Sequence, residues 1–237
     1  MTIEIHKSSD RGSAEHGWLH SKFSFSFADY HNSERMNFGA LRVLNDDIIE
    51  PGAGFGMHFH ENMEIITIVL EGVLEHKDSI GSNGIIPAGD VQRMSAGKGI
   101  THSEFNHSKK DPLKLLQIWV QTKEPNIKPS YEQKSFSFSN SKNEFLKIVS
   151  GYNSPGALYI YQEAVFLLGF IEKSKKVSYK PKNSKHGIYV FVIEGKAKIR
   201  GKILNKRDAA AITGTTSLEL FAIEALKALV IEVPLEN

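Results

Sequence analysis

Two stretches decide how this chain reads: Gly52-Ala-Gly-Phe-Gly-Met-His58-Phe-His60-Glu-Asn-Met-Glu64 and Gly97-Lys-Gly-Ile-Thr-His102-Ser-Glu104-Phe-Asn106. Residues i and i+2 of a β-strand point to one face, so His58 and His60 share a face, as do His102, Glu104 and Asn106. Uninterrupted alternation would also bring Glu64 onto the face of His58 and His60. Two imidazoles aimed into one cavity lose hydration unless something uses their lone pairs, and a divalent metal is the usual user. If the two strands face each other inside one barrel, His58, His60, His102 and Glu104 converge as three nitrogens and one carboxylate oxygen. That set extends the facial triad suited to non-haem Fe(II), and the same donors accept Zn, Ni, Mn, Co or Cu. With neutral imidazoles a divalent ion there keeps a net positive charge, which attracts an anionic or enolate oxygen.

Around this core of candidates, Glu64 is expected to accept a hydrogen bond that orients an imidazole. Phe55, Met57 and Phe105 are candidate apolar walls for an aromatic ligand, and Asn106 is a candidate pocket residue. His76, in Leu74-Glu-His-Lys-Asp-Ser79, sits among charges and reads as a strand-end hydrogen-bonding group. His31 and His107 read as surface residues.

Working outward, Gly and Pro punctuate short apolar runs rich in Val, Ile, Phe and Tyr, among them Glu64–Leu70, Leu115–Gln121, Val165–Ile171, Ile188–Ile193 and Ala228–Val233. Many short strands at close spacing, with few helix-period stretches, predict an all-β sandwich or barrel. The string Ile-Val-Leu-Glu71-Gly72 returns as Phe-Val-Ile-Glu194-Gly195, as a duplicated barrel would produce. Residues 123–130, Lys-Glu-Pro-Asn-Ile-Lys-Pro-Ser, contain two prolines and no periodicity. They read as a linker, giving one domain over 1–130 and a second over 131–237.

The chain has 237 residues, enough for a sizeable core, with 41% hydrophobic and 24% charged residues, which excludes a disordered or collagen-like chain. The absence of cysteine excludes disulfides, thiolate metal sites and cysteine nucleophiles. No apolar run approaches the ~18 residues of a membrane span, and no apolar leader follows Met1, so a cytoplasmic location is expected. Nine of the ten histidines lie in the first 107 residues, which places the coordinating chemistry in the first domain. Six lysines between Lys173 and Lys185 form a basic run. Without a helix-turn-helix or stacking platform beside it, the run reads as a solvated loop and not a nucleic-acid site.

The residues also carry a family resemblance. Gly39-Ala-Leu-Arg-Val-Leu-Asn-Asp-Asp47, Gly54-Phe-Gly-Met-His-Phe-His60, Leu70-Glu-Gly-Val-Leu-Glu-His-Lys-Asp-Ser79, Gly99-Ile-Thr-His-Ser-Glu104 and Leu116-Gln-Ile-Trp119 resemble the pirin family, densely over residues 20–135. The resemblance implies a bicupin, two jelly-roll β-barrels packed together, with one mononuclear metal in the N-terminal barrel; the C-terminal half has no His-x-His, so that barrel is expected to be metal-free. By motif its ligands fall on His58, His60, His102 and Glu104. Bacterial members are associated with quercetin 2,3-dioxygenase activity and animal members with iron-dependent transcriptional co-regulation. The first reading makes the chain an Fe(II) dioxygenase, with Glu104 as ligand and general base, an aromatic substrate, and O2. The alternative is a metal-dependent regulatory protein with a protein partner. Phe59 departs from the family, which usually has proline between the first two histidines.

Overall fold

The computed structural model describes residues 1–136 and 141–236. The first half runs through β1 (Thr2–His6), β2 (Gly12–Glu15), β3 (Leu19–Phe23), β4 (Leu41–Ile49), β5 (Gly54–His60) and β6 (Met63–Glu71). It continues through β7 (Val73–Asp78), β8 (Asn83–Pro87), β9 (Asp90–Ser95), β10 (Ile100–Asn106), β11 (Leu113–Gln121) and β12 (Ser130–Ser135). The second half comprises β13 (Phe145–Ser150), β14 (Leu158–Tyr159), β15 (Val165–Ile171), β16 (Lys176–Tyr179) and β17 (Gly187–Glu194). It ends with β18 (Ala197–Ile199), β19 (Lys202–Leu204), β20 (Ala209–Thr213), β21 (Leu218–Ala222) and β22 (Leu226–Val233). Among the described residues the one helical element is the 3-10 turn Ser8–Asp10. Among the described residues no helix is long and apolar enough to cross a membrane.

The strands form two barrels. A seven-stranded sheet, β12-β9-β6-β11-β4-β3-β2, and a four-stranded sheet, β5-β10-β7-β8, make the first. The second repeats that plan as β1-β20-β17-β22-β15-β13-β14 and β16-β21-β18-β19. The repeated Glu-Gly strings occupy equivalent turns after β6 and β17. Gly72 and Gly195 have φ of 84° and 83°, a left-handed conformation that suits glycine. A Cβ on Gly195 would also lie 2.0 Å from the Ala225 carbonyl oxygen. Pairing crosses residue 130 in both directions. β1 pairs with β20, Thr2 opposite Thr213, while β12 pairs with β9, Ser130 opposite Ser95. Each large sheet is thus completed by a strand from the other side of the proline-bearing segment.

The large sheets pack face to face, and their strands are buried on both faces. On β6, Ile66 and Ile68 enter a joint core with Leu116 and Ile118 of β11 and with Phe191, Ile193 and Ile231 of the second barrel. The alternate residues Ile65, Thr67 and Val69 line the first barrel. Burial on both sides makes these strands read as continuous apolar runs without strict alternation. The second barrel is filled with aliphatic side chains, among them Leu167, Val190, Ala210, Leu220 and Val230. The first barrel has only small apolar clusters, one around Val69 and Leu115 and one around Ile65 and Met94. Between them lies polar chemistry.

Phe191 is completely buried in the joint core. Phe191→Ala is expected to lower the unfolding free energy by about 3–5 kcal/mol in urea titrations, through lost transfer energy and the cavity left behind. A change below about 1 kcal/mol would contradict a tightly packed shared core.

Candidate metal centre

The centre is built on β5 and β10, neighbouring strands of the small sheet. His58 lies opposite His102 in register. Their ring centroids are 4.4 Å apart, and that of His60 lies 4.8 Å from His58 and 5.0 Å from His102. One ring nitrogen from each of the three lies within 4.8 Å of the others. A second triplet at the same spacing joins His102 to Glu104 and His76. The structure therefore brings the three predicted imidazoles together and sets Glu104 beside His102, with His76 as an unpredicted neighbour.

A register shift shapes this region. Between the pairs His102/His58 and Glu104/Phe55, β10 advances two residues and β5 three. The extra residue is a β-bulge, with Gly56 and Met57 turned to solvent. It has two effects. The Gly56 carbonyl accepts a hydrogen bond from His58 Nδ1–H at 2.7 Å, which leaves Nε2 as the bare nitrogen of that ring. It also reverses the facing of Phe55, which stacks edge-on against Trp18 at 5.1 Å and lines the cavity. Met57 and Phe105 follow ordinary alternation outward and are 59% and 37% exposed. They lie on the outer surface of the sheet and not on the cavity wall.

His102 is fixed by a buried relay. Asp78 accepts from His76 Nε2–H at 3.1 Å, so His76 Nδ1 is an acceptor, and His102 Nδ1–H lies 3.4 Å from it. Asp78 is held in turn by the backbone N–H groups of Ile80 and Ser82. The Tyr131 ring of β12 stacks on His76 at 4.5 Å. This order of protons leaves His102 Nε2 bare, and that atom is buried without a protein partner among the described residues. His76 is completely buried, pointing inward with Leu74 by the alternation of β7, a signal that its charged sequence neighbours mask.

Burial and the neighbouring imidazoles lower the pKa of His60 to about 4 and of His102 to about 2. Both rings are therefore neutral near pH 7, the form that ligates metals. Glu104 lies 3% exposed under a polar row. Gln92 Nε2 donates to Oε1 at 2.8 Å, Gln117 Nε2 donates to Oε2 at 2.7 Å, and the Thr67 hydroxyl lies 3.2 Å from Oε1. Burial pushes the carboxyl up to about 7 against these three bonds, which favour its charged form. An unpartnered imidazole nitrogen, two more imidazoles and an adjacent carboxylate form a donor set that fits a divalent transition metal.

The other candidates serve the framework. Asn106 donates to the carbonyls of Ile49 and Asp111, pinning the end of β10. Glu64 accepts from Ser95 at 2.7 Å and from the Tyr161 backbone, and burial pushes it up to about 7. Its side chain turns toward the second barrel, because the chain reverses at Asn62 (φ 49°) and β6 enters a different sheet. None of its hydrogen-bond partners is an imidazole.

A cavity of about 390 Å³ opens on His58, His60 and Glu104. Trp18, Phe23, Phe27, Phe55 and Trp119 supply its aromatic walls, and Trp119 meets His60 edge-on at 4.9 Å. Apart from Phe55, sequence reasoning missed these walls. The alternation of Gln117 and Trp119 along β11 was the available signal.

Comparison with known proteins adds relatives. Residues 5–120 match the family described as Pirin, and residues 147–233 match the quercetinase C-terminal cupin domain. A quercetin 2,3-dioxygenase from Escherichia coli K12 is 38% identical over 232 residues, covering 98% of this chain and 99% of the relative. A pirin-like protein from Caulobacter vibrioides is 38% identical over 214 residues, covering 90% of this chain and 91% of the relative. The crystal structure of the E. coli bacterial pirin YhhW in complex with nickel(II) superposes with a TM-score of 0.93 at 37% identity, over 98% of this chain and 99% of that one.

Two expectations follow from the geometry. His76→Ala removes the acceptor for His102 Nδ1–H while keeping every direct donor, so affinity for a divalent ion should fall about 10–100-fold in chelator competition. Unchanged affinity would contradict the relay. For Glu64, the folded state holds a proton at about 7 against an ordinary value of 4.5. Its contribution to stability is full below the ordinary value and is lost as pH rises through about 7. In the metal-free protein, the stability of wild type relative to Glu64→Gln should therefore decline from pH 5 to pH 8 by roughly 2–3 kcal/mol. Parallel pH profiles in chemical denaturation would contradict this.

Proposed function

Because the chain belongs to the pirin family, we propose that His58, His60, His102 and Glu104 hold one divalent transition metal, Fe(II) in the cell, and that the protein cleaves a flavonol with O2 and releases carbon monoxide. Quercetin or a related enolisable aromatic is the proposed substrate. The supporting observation is the placement of the aromatic-walled cavity directly on the imidazoles and on a buried carboxyl.

The metal, when bound, supplies Lewis-acid stabilisation of the substrate's enolate oxygen and a place for O2. The chain's own groups supply the rest. As ligands the three imidazoles add no charge, so with one carboxylate a divalent ion keeps a net positive charge that favours an anionic oxygen. Glu104 takes the proton of the enolic hydroxyl on a carboxylate oxygen. A buried carboxylate within hydrogen-bond reach of the hydroxyl can accept that proton. Gln92 and Gln117 hold the carboxylate in place for that transfer. The aromatic walls bury a flat ligand and exclude water. The first barrel carries this chemistry, and the second, with its aliphatic interior, is proposed to bind no metal and to seal the first.

The test combines reloading and turnover. Metal-stripped protein is loaded anaerobically with Fe(II), Ni, Mn, Co, Cu or Zn, then given quercetin and air, and carbon monoxide is measured. Metal-dependent release that is absent in His58→Ala is the expected result. Glu104→Gln should abolish turnover while metal binding is only weakened. Tight stoichiometric metal with no release under any ion would defeat the dioxygenase proposal, and full activity in Glu104→Gln would defeat the base assignment.

A further inference from the structure

The polar row around Glu104 extends one strand further than Glu104 uses. Gln92, Thr67, Gln117 and Asn45 stand opposite one another in register across β9, β6, β11 and β4. The first three bond the carboxylate. Asn45 does not. It is 3% exposed, its Oδ1 is buried without a partner, and its side chain makes no hydrogen bond among the described residues. Strand spacing of about 4.8 Å places it roughly one aromatic ring's width beyond Gln117. Two residues along the same face is Asp47, 4% exposed. Its Oδ1 accepts from the Ser21 hydroxyl, and Oδ2 has no partner among the described residues. Asn45, Asp47 and Ser21 all line the cavity.

The second barrel serves as an internal control. Thr67 precedes Gly72 by the interval that separates Val190 from Gly195, and the strand order is the same. The row Asn45, Gln117, Thr67, Gln92 therefore corresponds to Leu167, Val230, Val190, Ala210. All four are aliphatic and buried. The fold accepts an apolar row here, so the polar one is not a requirement of the barrel. Glu104 accounts for three of its members. A buried, unpartnered carboxamide oxygen is costly unless a ligand completes it, and the carboxylate beside it can accept a further hydrogen bond.

We infer that Asn45 and Asp47 bind the hydroxyl groups of a polyhydroxylated aromatic ring, at the end of the ligand remote from the imidazoles, and so select hydroxylated over bare aromatic substrates. The inference rests on the proposal that the cavity takes a flavonol. Asn45 offers both an acceptor and donors, and Asp47 offers an acceptor, so adjacent ring hydroxyls can donate to Asn45 Oδ1 and Asp47 Oδ2.

Binding is measurable without turnover. The two tryptophans of the chain, Trp18 and Trp119, both line the cavity, so intrinsic fluorescence reports its occupancy. Quercetin and 3-hydroxyflavone, which keeps the enolic group but lacks the other hydroxyls, are titrated anaerobically into metal-loaded protein. Wild type should bind quercetin at least about 10-fold more tightly. Asn45→Leu and the shape-conserving Asp47→Asn should erase that preference by weakening quercetin alone. Absence of preference in wild type, equal loss for both ligands, or unchanged preference in a folded Asp47→Asn would overturn the inference. Preference without carbon monoxide release in air would leave it standing while the dioxygenase proposal falls. Carbon monoxide release without preference would do the reverse.

Discussion

The face-to-face packing of the two large sheets is the constraint on which the rest depends. A barrel interior that holds four inward histidines, Glu104, Asp47 and several amides cannot also be a dense aliphatic core. The first barrel retains only small apolar clusters inside. Stability has to come from elsewhere, and it comes from the outer face of the same strands, where Ile66, Ile68, Leu116 and Ile118 meet the second barrel. The aliphatic interior of that second barrel completes the arrangement. Apolar burial is roughly proportional to area wherever it occurs, so moving the core to the interface frees the interior for chemistry.

Within the first barrel, the site depends on departures from regular strand geometry. The bulge at Gly56 and Met57 orients His58 through a backbone carbonyl and turns Phe55 inward. The reversal at Asn62 removes Glu64 from the imidazoles. These irregularities explain what the sequence shows and what it hides. His58 with His60, and His102 with Glu104, are i, i+2 pairs on single strands, so alternation alone relates them. The apolar strands were legible because burial on both faces leaves long hydrophobic runs. Phe55 and Glu64 depend on whether alternation persists across a bulge or a turn, which composition does not encode, whereas Met57 and Phe105 follow the alternation set by His58 and Glu104. His76 was hidden by charged neighbours that point the other way.

Long-range pairing was least legible. Tyr131 lies past the proline-bearing segment yet stacks on His76, so the second half of the chain touches the relay that orients His102. Asn45, Thr67, Gln92 and Gln117 are scattered over more than seventy positions and form a row only through sheet register. Their meaning emerges only beside the aliphatic row of the second barrel.

The exchange of β1 and β12 also has a temporal side. Thr2 to His6 leave the ribosome long before their partners, Ala209 to Thr213. β1 must wait for its place until β20 is made, whereas β12 can join β9 soon after it is made. The first barrel can therefore assemble on the nascent chain, and the arrival of β20 gives β1 its seat.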